Sequence, residues 1–272
     1  MSADRDPLPE LLQRLPTQAT WDDLVLPAGT IQSLRELAEH ARHHGRIRED
    51  WGLSGKTSRG IGLCALFSGP SGTGKTLAAE VLARYLGLDL WRVDLRAVVS
   101  KYIGETEKNL SRVFDAAERS GAVLLFEEAD ALLGSRSEVK DSHDRYANLE
   151  VAYLLQRLEQ FAGLTILTTN LRHAIDPAFA RRLHAIVDFP IPDDACREAI
   201  WRRIFQADAE LEHLDYRRLA RLKVTGGTIR DIATRAAIRA AAQATPITMP
   251  LVLEAAAAEL RKRGKASDAE DA

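Results

Sequence analysis

The stretch Gly69-Pro70-Ser71-Gly72-Thr73-Gly74-Lys75-Thr76 fits the pattern G-x-x-x-x-G-K-[ST] of a phosphate-binding loop, the Walker A motif. It lies between an apolar run, Leu63–Phe67, and a helix-like run, Leu77–Leu86, which is the strand–loop–helix setting that such a loop needs. Its glycines let successive backbone N–H groups turn toward one anion, and the following helix offers its positive end to the same anion. We expect Lys75 to reach the β and γ phosphates of a nucleotide and the Thr76 hydroxyl to ligate Mg²⁺. The alternative is a tight turn that binds nothing, and the flanking pattern argues against it.

A second motif is acidic and follows another apolar run. Ala122–Phe126 is typical of a strand that is buried on both faces, and it ends in Glu127-Glu128-Ala129-Asp130. Carboxylates at the C-terminal end of such a strand face the crevice where α/β sheets hold ligands, which is the position of a Walker B site. We predict that Glu127 holds Mg²⁺ and that Glu128 polarises the attacking water. The alternative is a solvated acidic loop.

Glu127 departs from the usual pattern, because the metal position of a Walker B site is normally aspartate. The additional methylene of glutamate displaces the carboxylate by roughly an ångström. We expect this change either to weaken Mg²⁺ binding or to be absorbed by a bridging water.

Composition excludes several classes of protein. The chain has 272 residues, 46% of them hydrophobic and 28% charged, which allows one large domain or two modest ones. A net charge of −2 and the lack of a basic tract argue against nucleic acid as a partner. The two cysteines, Cys64 and Cys196, make no disulfide framework, and the sequence has neither a signal core nor an apolar run of membrane-spanning length. We therefore expect a cytoplasmic protein with no membrane partner.

Strand-like and helix-like segments alternate through the first two thirds of the chain, which predicts an α/β fold with a parallel sheet sandwiched by helices. Five strands are predicted: Leu63–Phe67, Leu88–Val93, Ala122–Phe126, Leu164–Thr168 and Ala185–Phe189. The helices expected among them are Ile31–Trp51, Leu77–Leu86, Thr106–Glu118 and His143–Phe161.

The pattern changes after Pro190-Ile191-Pro192, where only helix-like segments follow, and Asp193 is placed to cap the first of them. These helices are predicted at Asp193–Gln206, Leu214–Leu222, Thr228–Ala244 and Pro250–Arg263. The predicted organisation is an N-terminal extension (1–20), a large α/β domain (21–190), a small all-α lid (191–264) and a disordered acidic tail (265–272).

Motifs in this order resemble those of AAA+ ATPases, over roughly residues 20–263. Besides the Walker motifs, the resemblance rests on Trp21-Asp22-Asp23-Leu24 as the opening linker, Ser100–Asn109 as the first pore loop with its helix, Thr168-Thr169-Asn170 as sensor 1, Asp176–Arg182 as the arginine-finger segment, and Gly226–Arg230 as the start of a lid helix. The resemblance implies a sheet order of 5-1-4-3-2, a four-helix lid, and a homohexameric ring that binds ATP and Mg²⁺ and acts on a protein substrate.

The same resemblance implies roles for single residues. Asn170 would orient the water, Arg181 or Arg182 would act as a finger in a neighbouring subunit, and Lys101, Tyr102, Ile103 and Gly104 would grip substrate. The nucleotide contacts it implies beyond the Walker A loop are Asp23, Leu24, Leu77 and Arg230. Each residue also has a plainer interpretation: a packed turn for Tyr102, a satisfied strand end for Asn170, surface charge for the arginine pair, and a loop before a helix around Arg230.

A closer resemblance concerns Ser135–Asn148, which looks like the corresponding part of bacterial AAA ATPases encoded with phage-tail-like contractile injection systems. Those proteins carry additional N-terminal sequence, whereas this chain starts almost at the linker. We therefore expect the sequence to be a truncated form.

Three classes of function remain open. The first is a ring-shaped chaperone motor that remodels or disassembles a protein assembly. The second is a nucleotide-gated assembly adaptor with slow turnover and no threading. The third is a P-loop kinase or nucleic-acid motor, which the paired acids, the arginine pair and the charge balance disfavour. Three histidines, His40, His43 and His44, are expected to lie on a solvated helix face rather than to bind a metal.

Overall fold

A computed structural model describes residues 8–50, 62–98, 104–130, 152–171, 177–205 and 211–262. The chain divides into two compact units. The first comprises the described parts of Met1–Leu24, Gly29–Gly69 and Lys75–Asp188, and the second those of Val25–Ala28, Pro70–Gly74 and Phe189–Ala272.

The first unit is built on a sheet whose strands run in the order β1-β3-β4-β5-β2-β6. The strands are β1 (Leu12–Leu15), β2 (Leu63–Ser68), β3 (Leu90–Val93), β4 (Val123–Phe126), β5 (Leu164–Thr169) and β6 (Ala185–Asp188). The last five pair in parallel. Every residue of β2, β4 and β5 is buried, as expected for strands covered on both faces.

The predicted strand number of five was wrong, because the described part of this sheet has six strands. The additional strand, β1, pairs antiparallel with β3, so that the sheet is mixed. Its four residues, Leu-Gln-Arg-Leu, are too few to show an alternating pattern in the sequence. The Arg14 guanidinium also contacts Asp89, which directly precedes β3, at 2.7 Å.

Helices pack around this sheet. They are α1 (Leu8–Leu11), α2 (Ala28–Asp50), α3 (Lys75–Leu86), α4 (Leu95–Val98), α5 (Glu105–Ser120), α6 (152–160) and α7 (Pro177–Ala180). The predicted apolar stripe of α5 is confirmed, since its members Leu110, Val113, Phe114 and Ala117 are all buried. Phe114 contacts Phe126 of β4 and Phe161, which fixes α5 on the sheet.

The second unit is mainly helical. It contains α8 (Asp194–Ile204), β7 (Leu211–Glu212), α9 (Tyr216–Ala220), α10 (Gly226–Gln243), β8 (Ile247–Thr248) and α11 (Met249–Lys262). The predicted cap of α8 is confirmed: the Asp193 carboxylate accepts a hydrogen bond from the Cys196 backbone N–H at 2.8 Å. The fully buried Trp201 packs against Phe205 in its core.

The prediction of an all-α lid was wrong in one respect, because β7 and β8 pair in parallel within this unit. Two-residue strands give no periodic signal in a sequence. None of the helices within the described ranges is long and apolar enough to cross a membrane.

Neither cysteine is expected to react readily with a thiol reagent. Burial raises the pKa of the Cys64 thiol to about 12, and burial, together with a hydrogen bond to Asp193, raises that of Cys196 to about 11. At pH 8 only about one molecule in ten thousand would carry a Cys64 thiolate, the species that reacts. We predict that Ellman's reagent labels Cys64 of the folded Cys196→Ser variant at least ~100-fold more slowly than free cysteine. Labelling at the free-thiol rate, without unfolding, would contradict this environment.

Candidate functional site

Lys75 connects the ends of two central strands in the first unit. It begins α3, and its ammonium group donates hydrogen bonds to the Gly69 carbonyl oxygen at 2.5 Å and to Asn170 Oδ1 at 3.0 Å. Burial lowers the pKa of Lys75, while the carboxylates of Asp130, Glu127 and Glu128 act in the opposite direction. The predicted Walker A lysine, the sensor-1 asparagine and the acidic motif therefore lie together.

The two predicted metal ligands are in direct contact. The Thr76 hydroxyl donates to Glu127 Oε1 at 2.5 Å, and Arg92 Nη1 contacts Glu127 Oε2 at 3.1 Å. Two neighbouring oxygen ligands suit Mg²⁺, because this ion keeps several of its waters and binds one or two protein oxygens together with phosphate. The residues present thus fit the ion. In the described segments, this site included, no group of three or more His, Cys, Asp or Glu side chains is placed to hold a metal by itself.

Glu128 sits at a sharp turn after β4. Its φ of 51° lies in the left-handed region, which is uncommon for a residue other than glycine and often marks a functional site. Two hydrogen bonds hold the turn against β5: Glu128 N–H donates to Thr168 Oγ1 at 3.1 Å, and Ala129 N–H donates to the Thr168 carbonyl at 2.8 Å. The Glu128 side chain remains exposed at the C-terminal end of the strand, where a base could meet a ligand.

Asp130, the last acid of the motif, has a supporting position that the sequence interpretation did not assign. Its Oδ1 accepts hydrogen bonds from the Thr169 hydroxyl and from the Asn170 backbone N–H, the latter at 3.2 Å. These contacts fix the end of β5 and with it the Asn170 amide that faces Lys75.

In the second unit, the phosphate-loop residues Pro70–Gly74 pack against the start of α10. Gly227 N–H donates to the Gly72 carbonyl at 2.8 Å. Gly72 has a φ of +78°, and a Cβ there would lie 2.6 Å from Thr225 Oγ1; a Cβ on Gly227 would lie 3.0 Å from the Gly72 Cα. Position 72 therefore requires glycine, and a side chain at position 227 would force the Gly72 backbone to give way by a few tenths of an ångström. The sequence marked Gly226-Gly227 only as a helix start, because a contact between distant loops leaves no local pattern.

The predicted finger residues differ in their surroundings. Both arginines are exposed. Arg182 Nε contacts Glu159 Oε1 at 2.5 Å, whereas Arg181 makes no hydrogen bond or ion pair with another described residue. Arg230 is exposed on α10.

Asp23 and Leu24, which are predicted to contact the nucleotide, lie at the end of a short turn and directly after it. The Asp23 carboxylate accepts hydrogen bonds from the backbone N–H and hydroxyl of Thr20, which caps the turn Trp21–Asp23, and Leu24 is buried. Gly104, with a φ of +80°, directly precedes α5. The rest of the predicted pore loop, Lys101, Tyr102 and Ile103, lies outside the described residues, as does Ser135–Asn148.

Comparison with known proteins agrees with this geometry. Residues 65–191, which include most of β2, both Walker motifs and Asn170, match the model of the family described as "ATPase family associated with various cellular activities (AAA)". Residues 65–191 of this chain therefore match an AAA ATPase domain. The expectation of an ATP-binding, ATP-hydrolysing enzyme is confirmed at the level of this family.

Individual relatives are similar over most of the chain. An uncharacterised AAA family ATPase, y4kL, from Sinorhizobium fredii is 33% identical over 193 residues, which are 70% of this chain and 56% of the relative. The 26S proteasome subunit RPT4 of Saccharomyces cerevisiae is 29% identical over 228 residues (80% and 51%), and the 26S proteasome regulatory subunit 10B homolog A of Arabidopsis thaliana is 32% identical over 187 residues (64% and 47%). The chain thus spans about half the length of these AAA relatives.

Proposed function

We propose that this AAA ATPase domain couples ATP hydrolysis to the remodelling or disassembly of a protein assembly and that it works as a homohexameric ring. The observation that carries the nucleotide part of the proposal is the convergence of Lys75, Thr76, Glu127 and Asn170 at the ends of β2, β4 and β5. The similarity to 26S proteasome subunits supports a protein as the substrate.

In this proposal Gly69–Thr76 wraps the nucleotide phosphates with backbone N–H groups, and Lys75 donates to the β and γ phosphates. Thr76 and Glu127 would hold Mg²⁺, which would supply positive charge against the phosphates. Glu128 accepts a proton from the attacking water, and the Asn170 amide orients that water. Asp23, Leu24 and Leu77 are proposed to contact the rest of the nucleotide.

Arg181 is our candidate for the finger supplied to the neighbouring subunit. An arginine that reaches across a subunit boundary must be exposed, and the Arg182 guanidinium is already bound by Glu159. We assign Arg182 the role of anchoring this segment to α6.

The substrate is proposed on resemblance alone. Lys101, Tyr102, Ile103 and Gly104 would grip a protein chain. The likeness of Ser135–Asn148 to ATPases of contractile injection systems makes such an assembly the substrate class to test first. A nucleotide-gated adaptor with slow turnover is the second candidate, favoured by the glutamate in the metal position.

Replacing Lys75 tests the nucleotide site. We expect Lys75→Ala to weaken ATP binding by roughly 100-fold or more, because it removes the cation that faces the β and γ phosphates. Isothermal titration calorimetry with ATP and Mg²⁺ measures the change. Lys223→Ala, which removes an exposed lysine of the second unit, should bind as the wild type does. Wild-type affinity in Lys75→Ala would refute the phosphate-loop assignment.

A further inference from the structure

Glu127 has a different partner for each of its carboxylate oxygens. Oε1 accepts from the Thr76 hydroxyl, and Oε2 faces Arg92 Nη1 at 3.1 Å. Arg92 belongs to β3, and its other terminal nitrogen, Nη2, donates to Gln13 Oε1 of the additional strand β1. A chain of side chains therefore runs from the sheet edge to the residue that we assign to the metal.

Strand register explains why these side chains meet. Gln13 lies directly opposite Arg92 in the antiparallel pair, and Arg92 lies opposite Leu125 in the parallel pair. Glu127 follows Leu125 by two positions and lies one residue beyond the end of β4 at Phe126. The register places Gln13 beside Arg92, and the contacts of Arg92 with Gln13 and with Glu127 bring the three side chains together.

The length of the glutamate side chain explains why a second contact, from Arg92 to Glu127, would help metal binding. Glutamate has one more rotatable bond than the aspartate that usually occupies the metal position. If the Thr76 hydrogen bond alone held its carboxylate, the side chain would still sample several conformations, and binding the ion would cost the entropy of fixing one of them. A charge-assisted contact to Oε2 removes that freedom and leaves Oε1 directed at the Thr76 hydroxyl. An aspartate at position 127 would be shorter by one methylene and would lose the reach to Arg92.

We propose that Arg92, held by Gln13, is a positioning residue that fixes Glu127 for Mg²⁺ and so compensates for the longer side chain. Two competing roles make other predictions. A simple exposed ion pair, with the Arg92 side chain 41% exposed, would leave metal binding unchanged. A guanidinium that competes with the metal for the carboxylate would weaken metal binding, and its removal would strengthen it.

The inference rests on the proposed nucleotide function, and its test is Mg²⁺-dependent binding rather than turnover. A fluorescent, non-hydrolysable ATP analogue is titrated with Mg²⁺, and its binding in EDTA is measured separately. We expect Arg92→Gln to raise the half-saturating Mg²⁺ concentration roughly tenfold, as is common when the partner of a metal ligand is removed. Binding in EDTA should change by less than about twofold, because Arg92 contacts the metal ligand and not the phosphates.

Three further variants sharpen the test. Arg14→Gln is the matched control, since it removes an arginine from the same sheet edge that pairs with Asp89 instead, and it should leave the Mg²⁺ midpoint unchanged. Arg92→Lys keeps a cation and should recover part of the loss. In a Glu127→Asp background, Arg92→Gln should have no effect, because the shorter carboxylate no longer depends on the arginine.

The possible outcomes distinguish a failure of the nucleotide proposal from a failure of the proposed role of Arg92. If the wild type binds no analogue with or without Mg²⁺, the nucleotide proposal itself fails. If the wild type binds normally and Arg92→Gln leaves the Mg²⁺ midpoint unchanged or lowers it, only the role of Arg92 is overturned. Should Arg92→Gln fail to fold by circular dichroism, Gln13→Leu carries the same prediction at smaller amplitude, and an unchanged midpoint there overturns it.

Discussion

Glu128→Gln is expected to stop ATP hydrolysis while leaving ATP bound. Glutamine preserves the size and shape of the side chain, and its amide cannot accept a proton from water. Removal of a general base typically costs about 10²–10⁴-fold in rate. The backbone bonds that hold the left-handed turn, from Glu128 N–H to Thr168 Oγ1 and from Ala129 N–H to the Thr168 carbonyl, do not involve the carboxylate, so the fold should not change.

Two measurements check this expectation: phosphate release in steady state and equilibrium binding of ATP. Glu127→Gln is the informative comparison, because it should raise the Mg²⁺ requirement for binding, whereas Glu128→Gln should not. Hydrolysis at the wild-type rate in Glu128→Gln would mean that the two acids are wrongly assigned. Asp130 would then be a poor replacement, since its carboxylate already holds the Thr169 hydroxyl and the Asn170 N–H.

The second large effect concerns the arginine finger. A finger supplied by a neighbouring subunit is worth on the order of 10³-fold or more in rate, so an isolated subunit should be nearly inactive. Specific activity should rise with protein concentration and saturate once rings form. Arg181→Ala should lose most of this activity and retain ATP binding, whereas Arg182→Ala, which breaks the pair with Glu159, should lose less.

Mixing experiments identify the shared site. Arg181→Ala/Arg182→Ala subunits keep their own acids, and Glu128→Gln subunits keep their arginines, so each inactive variant carries what the other lacks. The mixture should recover activity that neither has alone, while a mixture of the double arginine variant with Lys75→Ala/Arg181→Ala should not. If specific activity does not change on dilution and the mixture recovers no activity, the nucleotide-gated adaptor would be favoured over the ring-shaped motor.

Much of the first unit could be predicted from the sequence because its signals are local. Buried parallel strands appear as continuous apolar runs, and the apolar stripe of α5 has helical spacing. The phosphate loop is a contiguous pattern, and the acids follow a strand directly. The observed ends of most helices and strands differ from the predicted ends by only one or two residues. For example, β3 begins at Leu90, whereas Leu88 was predicted.

The features that the sequence did not reveal depend on contacts between distant segments. β1 is defined by its pairing with β3, 75 or more residues away, and β7 by its pairing with β8. Arg92 looks like an ordinary strand residue until its register against Gln13 and Leu125 is known. The close approach of Gly227 to Gly72 likewise leaves no mark in the sequence.

The antiparallel strand β1 also bears on how this ATPase domain could be transplanted into another chain. A β3 stripped of its neighbour would present unsatisfied amide and carbonyl groups along a sheet margin, and such margins recruit strands from other molecules. Leu12–Leu15 pairs with every residue of β3 and so occupies that margin, with β1 itself as the outermost strand of the sheet. A graft cut at the linker, near Trp21, would lose this pairing and expose β3 while keeping every nucleotide motif.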